Sequence, residues 1–174
     1  MKIQFLASLI VLLCCCQNNS EKVSIPQNAP KLERTIEEKQ SQYIENGELT
    51  SQWESDLAGL VKSRHYIVEN EPVTNRHVDN LVDTVRHYRQ NGIYMQSYKT
   101  ASQEWIFDAQ ILDSGVELTQ RIQVGVHKEA LEDVLGIQLT SDSIKVGNFE
   151  GTSLFIFKFR NDTLTKIVYE GYVD

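Results

Sequence analysis

The alternation of apolar and polar positions predicts β-strands over much of the second half of the chain. Residues 105–112 are apolar and rich in β-forming types, and residues 154–160 and 164–169 flank a polar turn at 161–163. Those last two segments predict a closing hairpin. Its core face is marked by three alternate aromatic residues, Phe155, Phe157 and Phe159.

A fourth segment, 116–124, shows the same alternation and predicts one further strand. Five alternate positions would lie on one face of it: Val116, Leu118, Gln120, Ile122 and Val124.

Helical spacing occurs in two other segments. In the first, apolar residues recur at i, i+4, i+7 and i+8, which predicts a helix from about Thr50 to about Ser63; they are Trp53, Leu57, Leu60 and Val61. Ser51 and Glu54 have the spacing of a capping box at its start. The second is a short helix near 128–135 that ends at Gly136, with Leu131, Val134 and Leu135 inward.

Residues 76–99 fit two structures. Helical spacing of apolar residues would place a helix there, capped by Gly92; these residues are Val78, Leu81, Val82, Val85 and Tyr88. Alternatively, Asn91-Gly92 forms a type I′ turn between strands at 84–89 and 93–99. We favour the hairpin, partly on the resemblance described below. Together these elements predict an α+β fold, an antiparallel sheet (meander and closing hairpin) with one or two short helices packed on one face.

The N-terminus predicts an exported lipoprotein. Lys2 precedes an uncharged apolar stretch that is too short to span a bilayer and ends in three cysteines at 14–16. This is the pattern of a bacterial lipobox, and we expect lipidation at Cys16, with Cys15 as the alternative. The predicted organisation is a lipoprotein signal peptide at 1–15, a flexible polar tether at 16–48, and a single domain at 49–174.

Charge and composition restrict the partners. The net charge of −7 disfavours binding to nucleic acid and peripheral binding to anionic lipids. The N-terminal lipid alone should therefore attach the protein to a membrane. The three cysteines at 14–16 are the whole complement, so no thiol remains in the domain for catalysis or disulfides.

Residues 121–136, a strand followed by Gly125 and a Lys/Glu-rich helical turn ending in Leu-Gly, resemble a pattern of small envelope lipoproteins. The segment is similar to the small lipoprotein subunit of the outer-membrane barrel-assembly machinery. It is more similar still to uncharacterised small lipoproteins common in Bacteroidetes, which also end in Tyr-x-Gly-Tyr-Val-Asp, here 169–174. The resemblance covers 1–20 and 82–174 and implies an outer-membrane location. His127 stands where that pattern has a Ser or Thr helix cap.

No catalytic motif is present in the sequence. The four histidines lack metal-ligand spacing, and no Gly-x-Ser-x-Gly elbow or glycine-rich phosphate loop occurs; the histidines are His65, His77, His87 and His127. Glu129, Glu132 and Asp133 fit an exposed helical face. We therefore expect no metal and no cofactor.

The function expected from the sequence is a non-enzymatic envelope lipoprotein that binds another envelope protein through a sheet edge or a helix face. An alternative is a binder of glycan or small ligands that uses the aromatic residues of the middle strands, Tyr94, Tyr98 and Trp105, as a platform. A further alternative is a hydrolase with dispersed carboxylates.

Overall fold

The computed structural model describes residues 41–75 and 77–173. In chain order its elements are β1 (Gln42–Glu45), α1 (Gly47–Ser63), β2 (Ile67–Thr74), β3 (Val82–Gln90), β4 (Ile93–Lys99), β5 (Glu104–Ile111), β6 (Glu117–Leu118), β7 (Ile122–Gln123), α2 (Lys128–Leu135), β8 (Ser143–Gly147), β9 (Ser153–Arg160) and β10 (Thr163–Gly171).

Eight strands form one sheet in the order β1-β8-β9-β10-β5-β4-β3-β2. All neighbours in it are antiparallel except β1 and β8, which run parallel over four residue pairs. This arrangement, with two helices packed on the sheet, confirms the predicted α+β class. Within the part of the chain that the structure describes, the short strands β6 and β7 pair only with each other.

The core lies between the helices and one face of the sheet. The Trp53 ring of α1 packs edge-on against Phe155 and Phe157, with ring centroids 5.2 and 5.0 Å apart. Phe159 shares their face and is buried, as predicted, and the Lys128 ammonium at the start of α2 lies over its ring. Both helices therefore cover the phenylalanine face.

The helix predicted from Trp53, Leu57, Leu60 and Val61 is present, but it begins earlier than expected. Asn46 is the N-cap, and its side-chain oxygen accepts a hydrogen bond from the Leu49 N–H at 3.0 Å. The predicted capping role of Ser51 is wrong, because its hydroxyl lies inside the helix and donates to the Gly47 carbonyl.

The predicted tether and domain boundary also differ from the structure. Strand β1 and the first turn of α1 lie within the range 16–48, and β1 pairs with β8 at one edge of the sheet. This short segment becomes a strand by pairing with β8, about a hundred residues further along the chain, and no local sequence pattern predicts that pairing. Cys15, Cys16 and the rest of 1–40 lie outside the described residues.

Residues 82–99 form a hairpin, so the helical alternative for this segment is wrong. Gln90 pairs with Ile93 across Asn91 and Gly92. Of these two turn residues only Gly92 has a positive φ, +76°, whereas a type I′ turn needs both. The type I′ prediction is therefore incorrect, although the strands it joins are correct.

The closing hairpin is confirmed, and its turn at Asn161 and Asp162 has positive φ at both residues, 50° and 57°. The single strand predicted over 116–124 is wrong. Gln120 and Arg121 have φ of 67° and 61°, which reverses the chain into the β6–β7 hairpin and leaves Gln120 exposed.

The short helix α2 ends as predicted at Gly136, which has φ +67° and donates its N–H to the Glu132 carbonyl. His127 occupies the N-cap position, but its side chain makes no capping hydrogen bond there and contacts Glu129 instead. Among the residues that the structure describes, none of the helices has the length and apolar character needed to cross a bilayer.

Candidate functional site

A cavity of about 400 Å³ opens between α1 and the strands β5 and β10. One wall consists of α1 side chains, including Leu57, Ala58 and Val61. The other wall comes from the sheet and the C-terminal segment and carries three aromatic residues, Trp105, Tyr169 and Tyr172. We call this space the α1 cavity. Its volume lies in the range of small-molecule sites, and its walls combine aliphatic and aromatic side chains with polar groups.

Glu54 and Tyr169 join the helix to the sheet beside this cavity. The Tyr169 hydroxyl donates to Glu54 Oε1 at 2.7 Å, and the tyrosine ring packs on Phe155 with centroids 4.7 Å apart. Burial raises the pKa of Tyr169, and the hydrogen bond to the Glu54 carboxylate raises it further. The hydroxyl therefore stays protonated and serves as a fixed donor to the carboxylate.

Gly171 makes room for this tyrosine. A Cβ atom at position 171 would lie 2.5 Å from the Tyr169 hydroxyl oxygen and 2.8 Å from the ring carbon that bears it. The Tyr-x-Gly pair at the end of the chain thus has a local physical reason, because any larger residue at 171 would displace the Tyr169 side chain.

A second carboxylate of the cavity, Glu104, is held in a dense polar network. Its Oε1 accepts from the Tyr88 hydroxyl and from the Ser97 hydroxyl, both at 2.5 Å, and its Oε2 pairs with Arg86 at 3.2 Å. Burial alone would raise the pKa of Glu104, but these hydrogen bonds, with the charges of Arg86 and Lys99, outweigh it and lower that pKa. Glu104 is a paired anion and is poorly suited to proton transfer.

The aromatic residues predicted as a ligand platform do not line one common cavity. Tyr94 and Tyr98 lie four residues apart on β4, and Trp105 is the cross-strand partner of Tyr98 on β5. Each of the three, however, lines a different cavity, and Trp105 is the one in the α1 cavity, with 45% of its surface exposed.

The hydroxyls of the two tyrosines are engaged with neighbouring side chains. The Tyr94 hydroxyl contacts His87 and Gln96, and the Tyr98 hydroxyl donates to the buried Asp83 at 2.8 Å.

The histidines and the helical acids have structural contacts. His87 lies 3.1 Å from Glu71 across β2 and β3, and His127 contacts Glu129. Glu132 accepts a hydrogen bond from the Leu139 N–H at 2.7 Å, so it orders the segment after α2. Across 41–75 and 77–173, no group of three or more His, Cys, Asp or Glu side chains has a geometry that could hold a metal ion.

Strand β2 ends the sheet opposite β1 and has no strand on its outer side among the described residues. It is eight residues long, and Ile67 and Val68 are exposed over 72% and 44% of their surface. Glu69 and Glu71, on one face, pair with Arg89 and His87 of β3. A long edge with exposed apolar residues is open to pairing with another chain.

Comparisons of the chain with protein-family models, with curated proteins and with solved structures found no match. The candidate sites therefore rest on geometry. Sequence reasoning missed Glu54 and Tyr169 as a pair, because they are 115 positions apart and lie on elements of different type. The Tyr-x-Gly pattern at 169–171 was the one local signal.

Proposed function

We propose that this protein is a membrane-anchored envelope lipoprotein, without enzymatic activity, that binds an extended segment of another envelope protein along strand β2. The single observation that carries the proposal is the exposed outer edge of β2, eight residues long, with Ile67 and Val68 in contact with solvent. The lipid expected at Cys16 would attach the domain to the membrane.

Strand addition fits the backbone of this edge. The outward N–H and C=O groups of an edge strand are available to a new strand, and main-chain hydrogen bonds supply much of the affinity in such complexes. Pro72 lacks a donor and lies near the end of the strand, so it leaves the stretch from Ile67 to Glu71 available.

The side chains of β2 suggest the chemistry of the partner. Ile67 and Val68 project from opposite faces at the start of the strand and offer apolar contacts. Glu69 and Glu71 follow, with side chains more than half exposed and oriented by Arg89 and His87. A partner strand with apolar residues and Lys or Arg beside these carboxylates would complement the edge.

The experiment that tests this is site-specific photocrosslinking of the full chain in its native envelope. A photoreactive residue replaces Ile67 in β2 or, as the matched control, Phe149, an apolar residue 85% exposed in the β8–β9 turn. We expect a discrete adduct with an envelope protein from position 67 alone. The crosslinked peptide, mapped by mass spectrometry, should contain apolar residues and Lys or Arg.

A second variant makes the result specific for the edge. Val68→Asp places a charge on the exposed edge without altering the core, and it should reduce the adduct from position 67 strongly. Equal adducts from both positions, or no effect of Val68→Asp, would contradict the proposal. Dimers of this chain from position 67 would instead indicate β2-to-β2 pairing of two copies and would also overturn it.

A further inference from the structure

We propose that the α1 cavity is a binding site for a small primary amine with an apolar body of roughly a dozen non-hydrogen atoms. This site lies apart from the β2 edge in the fold, so it does not depend on the protein-binding function. The geometry that points to it combines aliphatic side chains on α1 and β5, aromatic rings and one carboxylate with an available oxygen.

The walls of the α1 cavity suit an apolar body. Leu57, Ala58, Val61 and Ile106 present aliphatic surface, and the volume of about 400 Å³ lies within the range of ligand pockets, about 300–1,000 Å³. Trp105, half exposed, contributes the aromatic type that interacts best with a cation. A ligand with an apolar body and a positive charge would use both features.

Glu54 supplies the recognition group. Its Oε1 accepts a hydrogen bond from the Tyr169 hydroxyl, and no other hydrogen bond or ion pair involves the Glu54 side chain within the described part of the chain. The hydroxyl of Tyr169 is used as the donor in this hydrogen bond, and the second carboxylate oxygen of Glu54 remains an acceptor. A ligand bound there must bring donors, and an ammonium group brings three with a compensating charge.

The other charged groups of the cavity are less suited to this role. Both oxygens of Glu104 already have partners within the protein, Arg86, Tyr88 and Ser97. Lys62, an exposed residue of the lining, would attract a carboxylate ligand instead. The amine and the carboxylate are therefore opposite expectations that one experiment can separate.

The test uses three probes of similar size: 2-phenylethylamine, 2-phenylethanol and phenylacetate. The purified full chain contains two tryptophans, and Trp53 is inaccessible to solvent, so a change in tryptophan emission on titration reports on Trp105. Trp105→Phe should abolish the signal and confirm the assignment. We expect a saturable change with the amine and much weaker responses to the alcohol and the carboxylate.

Three variants define the site. Glu54→Gln should weaken amine binding about tenfold or more, because a charge-assisted hydrogen bond is lost. Glu48→Gln removes the same charge from an exposed position of α1 outside the cavity and should leave the affinity unchanged. Ala58→Leu, on the exposed wall of the cavity, should block it without burying a new polar group; circular dichroism would verify that each variant is folded.

The proposal is overturned if the amine gives no saturable change, if phenylacetate binds more tightly than the amine, or if Glu54→Gln and Glu48→Gln behave alike. These outcomes concern the α1 cavity alone. A failure of crosslinking at β2 would leave them unaffected, and the reverse also holds.

Discussion

At the scale of single residues, Tyr169 shows how one side chain couples the two layers of the fold. Its ring belongs to the sheet face that carries Phe155, and its hydroxyl reaches the Glu54 carboxylate on α1. The contact depends on Gly171, since a Cβ there would occupy the space of the hydroxyl. A buried hydroxyl with a charged acceptor is a stable arrangement as long as its proton remains.

This arrangement predicts a loss of stability at alkaline pH. In the unfolded chain a tyrosine ionises near pH 10.0, whereas burial and Glu54 raise the pKa of Tyr169 in the folded protein. Above pH 10 the unfolded state therefore releases a proton that the folded state retains, and the free energy of unfolding falls as pH rises. Below pH 10 both states are protonated, and this group contributes no pH dependence.

Tyr169→Phe should remove this part of the pH dependence. The measurement is urea unfolding of wild type and variant from neutral pH to about pH 11. The matched control is Tyr43→Phe, an exposed tyrosine of β1, which should keep the wild-type slope. If wild type and Tyr169→Phe lose stability in parallel above pH 10, the coupling of Tyr169 to Glu54 is not what the structure indicates.

At the scale of elements, periodicity predicted the body of α1 but not its start. The apolar face of this helix is read from spacing alone, because the residues that pack on a core recur with the helical period. The position of the N-cap depends on where the helix begins. Because β1 ends at Glu45, Asn46 lies directly before the first turn of α1 and caps it. Ser51 had a suitable residue type at a plausible spacing, yet it lies one turn too late.

The correction gives a direct prediction for stability. Asn46→Ala should lower the free energy of unfolding by about 1 kcal/mol, because the Leu49 N–H loses its acceptor at the start of the helix. Ser51→Ala, the matched control, should change it by no more than about 0.5 kcal/mol, since alanine is a better helix former. Chemical unfolding of both variants measures the difference. If both variants lost the same free energy of unfolding, the assignment of Asn46 as the N-cap would be contradicted.

Strands show the same division between local and distant causes. The hairpins at 82–99 and 153–171 follow from alternation and turn residues, and both are present. The segment 116–124 alternates equally well but reverses at Gln120 and Arg121, whose φ values are positive. A positive φ is rare for residues of these types, so no residue propensity indicated the turn. Leu118 and Ile122, on either side of the turn, are both buried in the core.

At the scale of the whole molecule, the described domain is joined to a segment that should carry the lipid. Both proposals concern surfaces of the domain, and the first also requires that the domain be held at a membrane. The three cysteines at 14–16 and the apolar stretch before them are the basis for this expectation.

Intact mass spectrometry of the membrane-extracted protein tests the anchor. We expect a mature N-terminus at Cys16 that carries acyl mass, lost in Cys16→Ala and retained in Cys15→Ala. If the acyl mass is instead lost in Cys15→Ala, Cys15 is the lipidated residue and the cleavage site lies one residue earlier. A product without acyl mass, cut as an ordinary exported protein, would contradict the anchor and remove the main reason to seek the β2 partner in the envelope.

Much of the local structure could be predicted from the sequence, because alternation, helical period and turn residues are properties of short segments. The α+β class, the core phenylalanines, both helices and the closing hairpin follow from such patterns. Strand order does not: β1 and β2 are separated in the chain by one helix yet occupy opposite edges of the sheet. Pairing between distant segments depends on the packing of the whole chain, which no short window of sequence contains. The same reason explains why the α1 cavity, the Glu54–Tyr169 contact and the open edge of β2 became visible only in the tertiary structure.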